Sequence, residues 1–139
     1  MDRVDRRSEL REATFLILFR AVFFDAQELR FQIEDFFSDE DFFSEKERKY
    51  ISDKVLKIAS KLTELDDKLD EVSVGWKTKR MTKVDLTVLR LACYEILFED
   101  AVPIATSIND AVELAKNYGT ENSGSFVNGI LAKVAESVK

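Results

Sequence analysis

The segment "VLRLACYEILF", Val88 to Phe98, decides the fold. Its apolar residues cover nearly every side of a helix at the 3.6-residue period, with Arg90 and Glu95 as interruptions. A helix of that kind is surrounded by others, so it is the central, buried element. Thr82 and Asp85, three residues apart, open it. Ahead of it, "VGWKTKR" (Val74–Arg80) reads as a connection. Behind it, Pro103 suits the first turn of another helix. Ser107 and Asp110 could start that helix one turn later. Ile108, Ala111, Val112, Ala115 and Tyr118 form its inner face, and Gly119 is a C-terminal cap. Asn122 or Ser123 caps a last helix with Phe126, Val127, Ile130, Leu131, Val134 and Val138 inward.

The amino-terminal half is helical too. A first helix is expected from about Val4 to Phe23. Leu10, Thr14, Ile17, Ala21 and Phe24 share one stripe, and Phe15, Phe19 and Phe23 a second. Asp25 and Glu28 start a second helix through about Phe37. Ser44 and Glu47 form a capping box for a third. Beyond it Ile51, Val55, Ile58, Leu62, Leu65, Leu69 and Val72 step by four and three. One long helix or two meeting at a bend, with Thr63 and Asp66 as a second box, both satisfy that seam. The expected fold is all-α, with six or seven helices in two small packed bundles. They form one domain over 1–139, its halves meeting near Gly75 (1–74 and 75–139).

Composition narrows the chemistry. One proline and four glycines in 139 residues point away from a turn-rich β fold. A net charge of −6 argues against indiscriminate coating of nucleic acid, and leaves room for a local basic patch or a basic partner. One cysteine and no histidine exclude an intrachain disulfide, a Cys/His zinc site and any histidine-dependent triad. A reducing compartment suits such a chain. Cys93, in the central helix, reads as a structural thiol. No phosphate-binding glycine loop occurs, and neither a cofactor nor a metal is expected. "RRSELREATFLILFRAVFF" is fenced by Glu12 and Arg20 and lacks a cleavage site, so it reads as a mature helix rather than a signal peptide. No stretch is suited to crossing a membrane.

Two features could meet a polyanion. Arg3, Arg7 and Arg11 lie four apart on one helical stripe, with Arg6 beside them. Arg6 has Asp2 at pairing distance, while Arg7 and Arg11 have no acid at either helical spacing. The stripe is a phosphate-binding edge, or a solvated face paired with acids elsewhere. "WKTKRMTK" supplies Lys77, Lys79, Arg80 and Lys83, with Trp76 as a base-stacking platform or a core plug. Three of the four glycines fall in "NYGTENSGSFVNGIL" (Asn117–Leu131). Gly119 ends a helix and Gly124 lies in a first turn. Gly129 sits mid-helix, for close packing or a ligand contact. The helix start with Asn122, Ser123 and Ser125 is compatible with an anion.

From Thr82 to Val134 the chain resembles the NusB family of transcription antitermination proteins. "VLRLAxYE", "PIxxxINDAVELAKxYG" and "SxxFVNGIL" follow in order and at family spacing. The first half is looser, with "RR…RE" and then Trp76 and Arg80. The resemblance implies two helical bundles and a non-enzymatic RNA-binding factor. It implies a partner, ribosomal protein NusE, recognition of boxA-type single-stranded RNA in nascent ribosomal-RNA transcripts, and work within the RNA polymerase antitermination complex in the cytoplasm. Carried over by position, RNA contacts are Arg6, Arg7 and Arg11, with Asn122 and Phe126, and Arg3 joins them from its stripe. Partner contacts are Phe19 and Asp85. Ser8, Glu9 and Leu10 dilute the family's arginine motif, Phe19 lacks a frequent tyrosine hydroxyl, and Asn122 replaces a frequent acid. Arg90 is expected to pair with an acid such as Glu113. Two other readings stand beside this one. The first is a docking module akin to the amino-terminal domain of ribosomal-RNA cytosine methyltransferases, disfavoured by the end at Lys139. The second is a protein-only adaptor using "DFFSDEDFFSE" (Asp35–Glu45) for docking or homodimerisation.

Overall fold

A computed structural model describes residues 3–21 and 25–138, the side chains of 3–5, 21 and 26 excepted. Asp2, Phe23, Phe24 and the Arg3 side chain lie outside the described residues. Those that are described hold seven α-helices, a 3₁₀ turn and no strand. They form two compact units, Met1–Ser60 and Lys61–Lys139.

The first unit contains α1 (Arg3–Ala21), α2 (Ala26–Phe37) and α3 (Glu45–Ala59). Asp25 caps α2, its side chain accepting the Glu28 N–H at 2.9 Å. The Ser44–Glu47 box closes in both directions, at 3.1 and 2.9 Å, and starts α3. Helix α1 packs on α2 and α3, and Phe15, Ile17, Leu29, Ile51, Val55 and Ile58 are buried.

The second unit contains α4 (Leu62–Val72), the 3₁₀ turn Thr78–Arg80, α5 (Lys83–Phe98), α6 (Ile104–Tyr118) and α7 (Ser123–Ser137). The apolar seam is therefore carried by two helices. The break falls at Ser60–Lys61, and the Thr63–Asp66 box does not form, because α4 begins before it, with Lys61 at the cap position and no side-chain cap. The units also divide at this break rather than at Gly75, since α4 packs on α5 and α7. Helix α5 is central as expected: Val88, Leu89, Leu91, Ala92 and Cys93 are all 2 % exposed or less. Thr82 caps it, accepting the Asp85 N–H at 3.2 Å. Helix α6 starts directly after Pro103 and not at Ser107, which is buried inside it.

Arg90 pairs with Asp66 of α4 rather than with Glu113. Its Nε and Nη2 donate to the two carboxylate oxygens at 2.8 and 2.7 Å. Glu113 is exposed. The fork geometry makes this a strong lock between α4 and α5. Burial pushes the Cys93 thiol up to about 12, in keeping with a structural role.

The glycines sort differently from expectation. Gly119 does end α6, but with an extended backbone, φ −103°. It is needed for space, since a Cβ there would lie 2.3 Å from Ser123 Oγ and 2.8 Å from the Ala115 carbonyl oxygen. Gly124 is buried against α6, where a Cβ would meet Lys116 Cγ at 3.2 Å. Gly129 is exposed and a Cβ would touch nothing within 4 Å, so close packing does not explain it. Alanine substitution should separate these cases in thermal unfolding. Gly119→Ala is expected to destabilise by about 1–3 kcal/mol through overpacking. Gly129→Ala should leave stability unchanged or raise it by up to about 1 kcal/mol, because an exposed helix interior prefers alanine.

Candidate nucleic-acid interface

The arginine stripe of α1 is not uniform. Arg6 is held inside the first unit. Its Nη2 forms a short ion pair with Glu47, and its Nε donates to the other Glu47 oxygen at 3.0 Å. Nη1 reaches Glu9 at 3.4 Å, and Nη2 donates to the Phe42 carbonyl at 3.0 Å. The guanidinium carbon lies 4.2 Å from the centre of the Phe42 ring, within cation–π range. Arg6 is thus a clamp joining α1, the Phe-rich loop and the first turn of α3, and does not belong to an uncompensated cationic ridge. Glu47, which also closes the α3 capping box, holds the pair together. Its carboxyl is held below its ordinary value, first by the Arg6 hydrogen bond and then by the Ser44 backbone.

Arg11 is buried, at 7 % exposure, and also interacts within the fold. Arg7 is exposed, although it too makes an interaction. Of the described arginines there, Arg6 is half-buried, Arg11 buried and Arg7 exposed.

The Asp35–Glu45 stretch is largely spent internally. Phe37 is buried, Phe43 stands edge-on to it at 6.1 Å, and Phe42 stands edge-on to Phe43 at 5.0 Å. Glu40 caps the turn by accepting the Phe42 and Phe43 N–H groups at 3.0 and 3.2 Å, and pairs with Arg48 at 2.7 Å. Phe42 is covered on one side by Arg6 and remains 48 % exposed.

In the second unit, Asn122 occupies the cap position of α7 but makes no side-chain cap bond. Ser123 is buried, and its Oγ accepts the Thr120 N–H at 3.0 Å. The loop is therefore ordered by Ser123 and leaves the exposed Asn122 amide for other use. Ser125 is exposed and Phe126 half-buried. Of the partner candidates, Phe19 is half-buried against Phe15, ring centres 5.9 Å apart. Asp85 is buried, and its Oδ1 lacks a hydrogen-bond partner among the described residues. Trp76 is 46 % exposed, which excludes the core-plug reading. Among the described residues no acidic or Cys cluster is arranged for a metal, and no helix is long and apolar enough to cross a membrane.

Comparison with known proteins agrees with the architecture. The NusB family matches residues 8–136. The transcription antitermination protein NusB of Agathobacter rectalis is 52 % identical over 129 residues, covering 93 % of this chain and 98 % of the relative. That of Lachnoclostridium phytofermentans is 46 % identical, covering 94 % and 98 %. Among solved structures, T. maritima NusB superposes with a TM-score of 0.78 at 36 % identity, covering 94 % of this chain and 90 % of that one. A complex of the antitermination factors NusB and NusE with double-stranded RNA gives 0.81 at 24 % identity, covering 99 % of each chain, and speaks to the fold. Fold and relatives together define an all-helical transcription antitermination factor. The chain belongs to the NusB family. The family model and these relatives support the antitermination reading over the methyltransferase-module one.

The Arg6–Glu47 clamp has a pH signature. A carboxyl depressed in the folded state stabilises it above the ordinary glutamate range, and that contribution disappears as pH falls through the depressed value. Glu47→Gln is expected to lower the melting temperature at neutral pH and to flatten the acid limb of a stability-versus-pH curve. An unaltered acid limb would mean that Glu47 does not supply this linkage.

Proposed function

We propose that this antitermination factor binds boxA-type single-stranded RNA in nascent ribosomal-RNA transcripts together with ribosomal protein NusE, acting on RNA polymerase in the cytoplasm. Membership of the NusB family across residues 8–136 carries this reading. It also accounts for an acidic chain that keeps cationic and amide groups at particular places. On the first unit the RNA contact is assigned to Arg7, with Arg6 and Arg11 serving to fix α1. On the second it is assigned to Asn122 and Phe126. Phe19 and Asp85 are assigned to NusE. The unpaired Asp85 oxygen supports this, since a buried acceptor gains from a donor supplied by a partner.

An electrophoretic shift series with boxA RNA, with and without NusE and at several salt concentrations, tests the assignment. Affinity should fall with salt. Arg7→Ala should reduce the log–log salt slope by about 0.7, the share of one single-strand phosphate contact, and leave NusE binding intact. Arg6→Ala should instead lower thermal stability. Unchanged affinity and slope in Arg7→Ala would remove Arg7 from the interface. Retained NusE binding without any boxA binding would favour the protein-only adaptor.

A further inference from the structure

Several exposed cations of the second unit lie outside the residues assigned above, Lys116 and Lys133 on α6 and α7 and Lys79 and Arg80 in the turn before α5. Lys61, Lys68 and Arg90 each have a carboxylate partner, Glu64, Glu71 and Asp66. Lys83 is engaged within the fold. Lys79 and Arg80 are exposed and have no carboxylate partner among the described residues. Arg80 lies against the exposed Trp76, its guanidinium carbon 5.5 Å from the ring centre.

The turn that presents these groups is built firmly. Gly75 has φ +81°, a left-handed conformation that favours glycine, and puts the chain into the turn. Ser73 Oγ donates to the Trp76 carbonyl oxygen. Asp70 accepts the Thr78 N–H at 2.7 Å and its hydroxyl at 3.2 Å, so the nearby carboxylate is occupied by the turn itself. Lys77 Nζ donates to the Asp70 and Ser73 carbonyls at 2.7 and 3.2 Å. Thr78 and Met81 are buried and anchor the turn from below. An exposed indole on a braced turn, with Arg80 against it and Lys79 the preceding residue, matches a ligand with flat apolar faces and regularly spaced negative charge. Single-stranded nucleic acid has both, whereas an acidic peptide has only the charge.

We propose that Trp76, Lys79 and Arg80 form a second contact for single-stranded RNA, with an unstacked base on the indole and flanking phosphates at Lys79 and Arg80. This rests on the RNA-binding reading above and extends it to a surface assigned to neither RNA nor NusE.

The chain has one tryptophan, so indole emission, excited at the red edge where its three tyrosines do not absorb, reports on Trp76 alone. The full chain is titrated with an end-labelled, unstructured RNA of about a dozen nucleotides, following label anisotropy for total binding and indole emission for this contact. Quenching should saturate in step with anisotropy. An abasic strand of equal length should bind without comparable quenching. Trp76→Ala should weaken binding about tenfold, and Trp76→Phe should restore most of it. The Lys79→Ala/Arg80→Ala double variant should lower the salt slope by about 1.4. Helical circular dichroism checks that each variant is folded. RNA binding with unchanged indole emission, and wild-type affinity in both Trp76 variants, would overturn the contact while leaving the proposed function standing. Equal quenching by polyglutamate would overturn it in favour of an acidic protein partner. No RNA binding, even with NusE present, would sink the RNA reading and this contact with it.

Discussion

An arginine's charge is satisfied where its nearest acids are, and in this chain Arg6 is satisfied inside the fold. Its guanidinium ties α1 to Glu47, to the Phe42 carbonyl and to the Phe42 ring. The same Glu47 closes the box that begins α3. One ion pair therefore sets the start of a helix, the path of a Phe-rich loop and the charge left to the surface. With acids outnumbering bases, 27 to 21, such capture is the expected fate of a cation. The informative groups are those that escape it.

Local sequence signals were reliable guides. The caps at Asp25, Ser44 and Thr82 depend on residues three positions apart, and each forms as its spacing indicates. The burial of α5 followed from its lack of a polar face. What spacing left open was settled by packing: the seam from Ile51 to Val72 reads equally as one helix or two, and only contacts of α4 with α5 and α7 place the boundary. The partners of charged side chains were the least legible. Arg6 meets an acid 41 residues away and Arg90 one 24 residues away, distances over which helical periodicity carries no information. Helix spacing places no acid three or four residues from Arg7 or Arg11, and it is silent about acids on other elements.

The glycines show the same limit. Gly119 ends α6 as its position indicates, and the structure adds the reason, crowding by Ser123. Gly129 looked like a packing residue because it sits mid-helix, and it faces open space. Trp76 reads from sequence as either a stacking platform or a core plug, and it stands half-exposed beside Arg80. In each case the sequence names an unusual residue, and the fold alone tells which side of it is occupied.

Cys93 shows what a wholly enclosed side chain means for a protein in a changing cell. It is inaccessible, and with its thiol pushed up to about 12 it holds almost no thiolate at neutral pH. Peroxides and mixed disulfides react through the thiolate. The folded chain thus offers oxidants no reactive thiol, and Cys93 stays silent to redox state for as long as α5 remains enclosed.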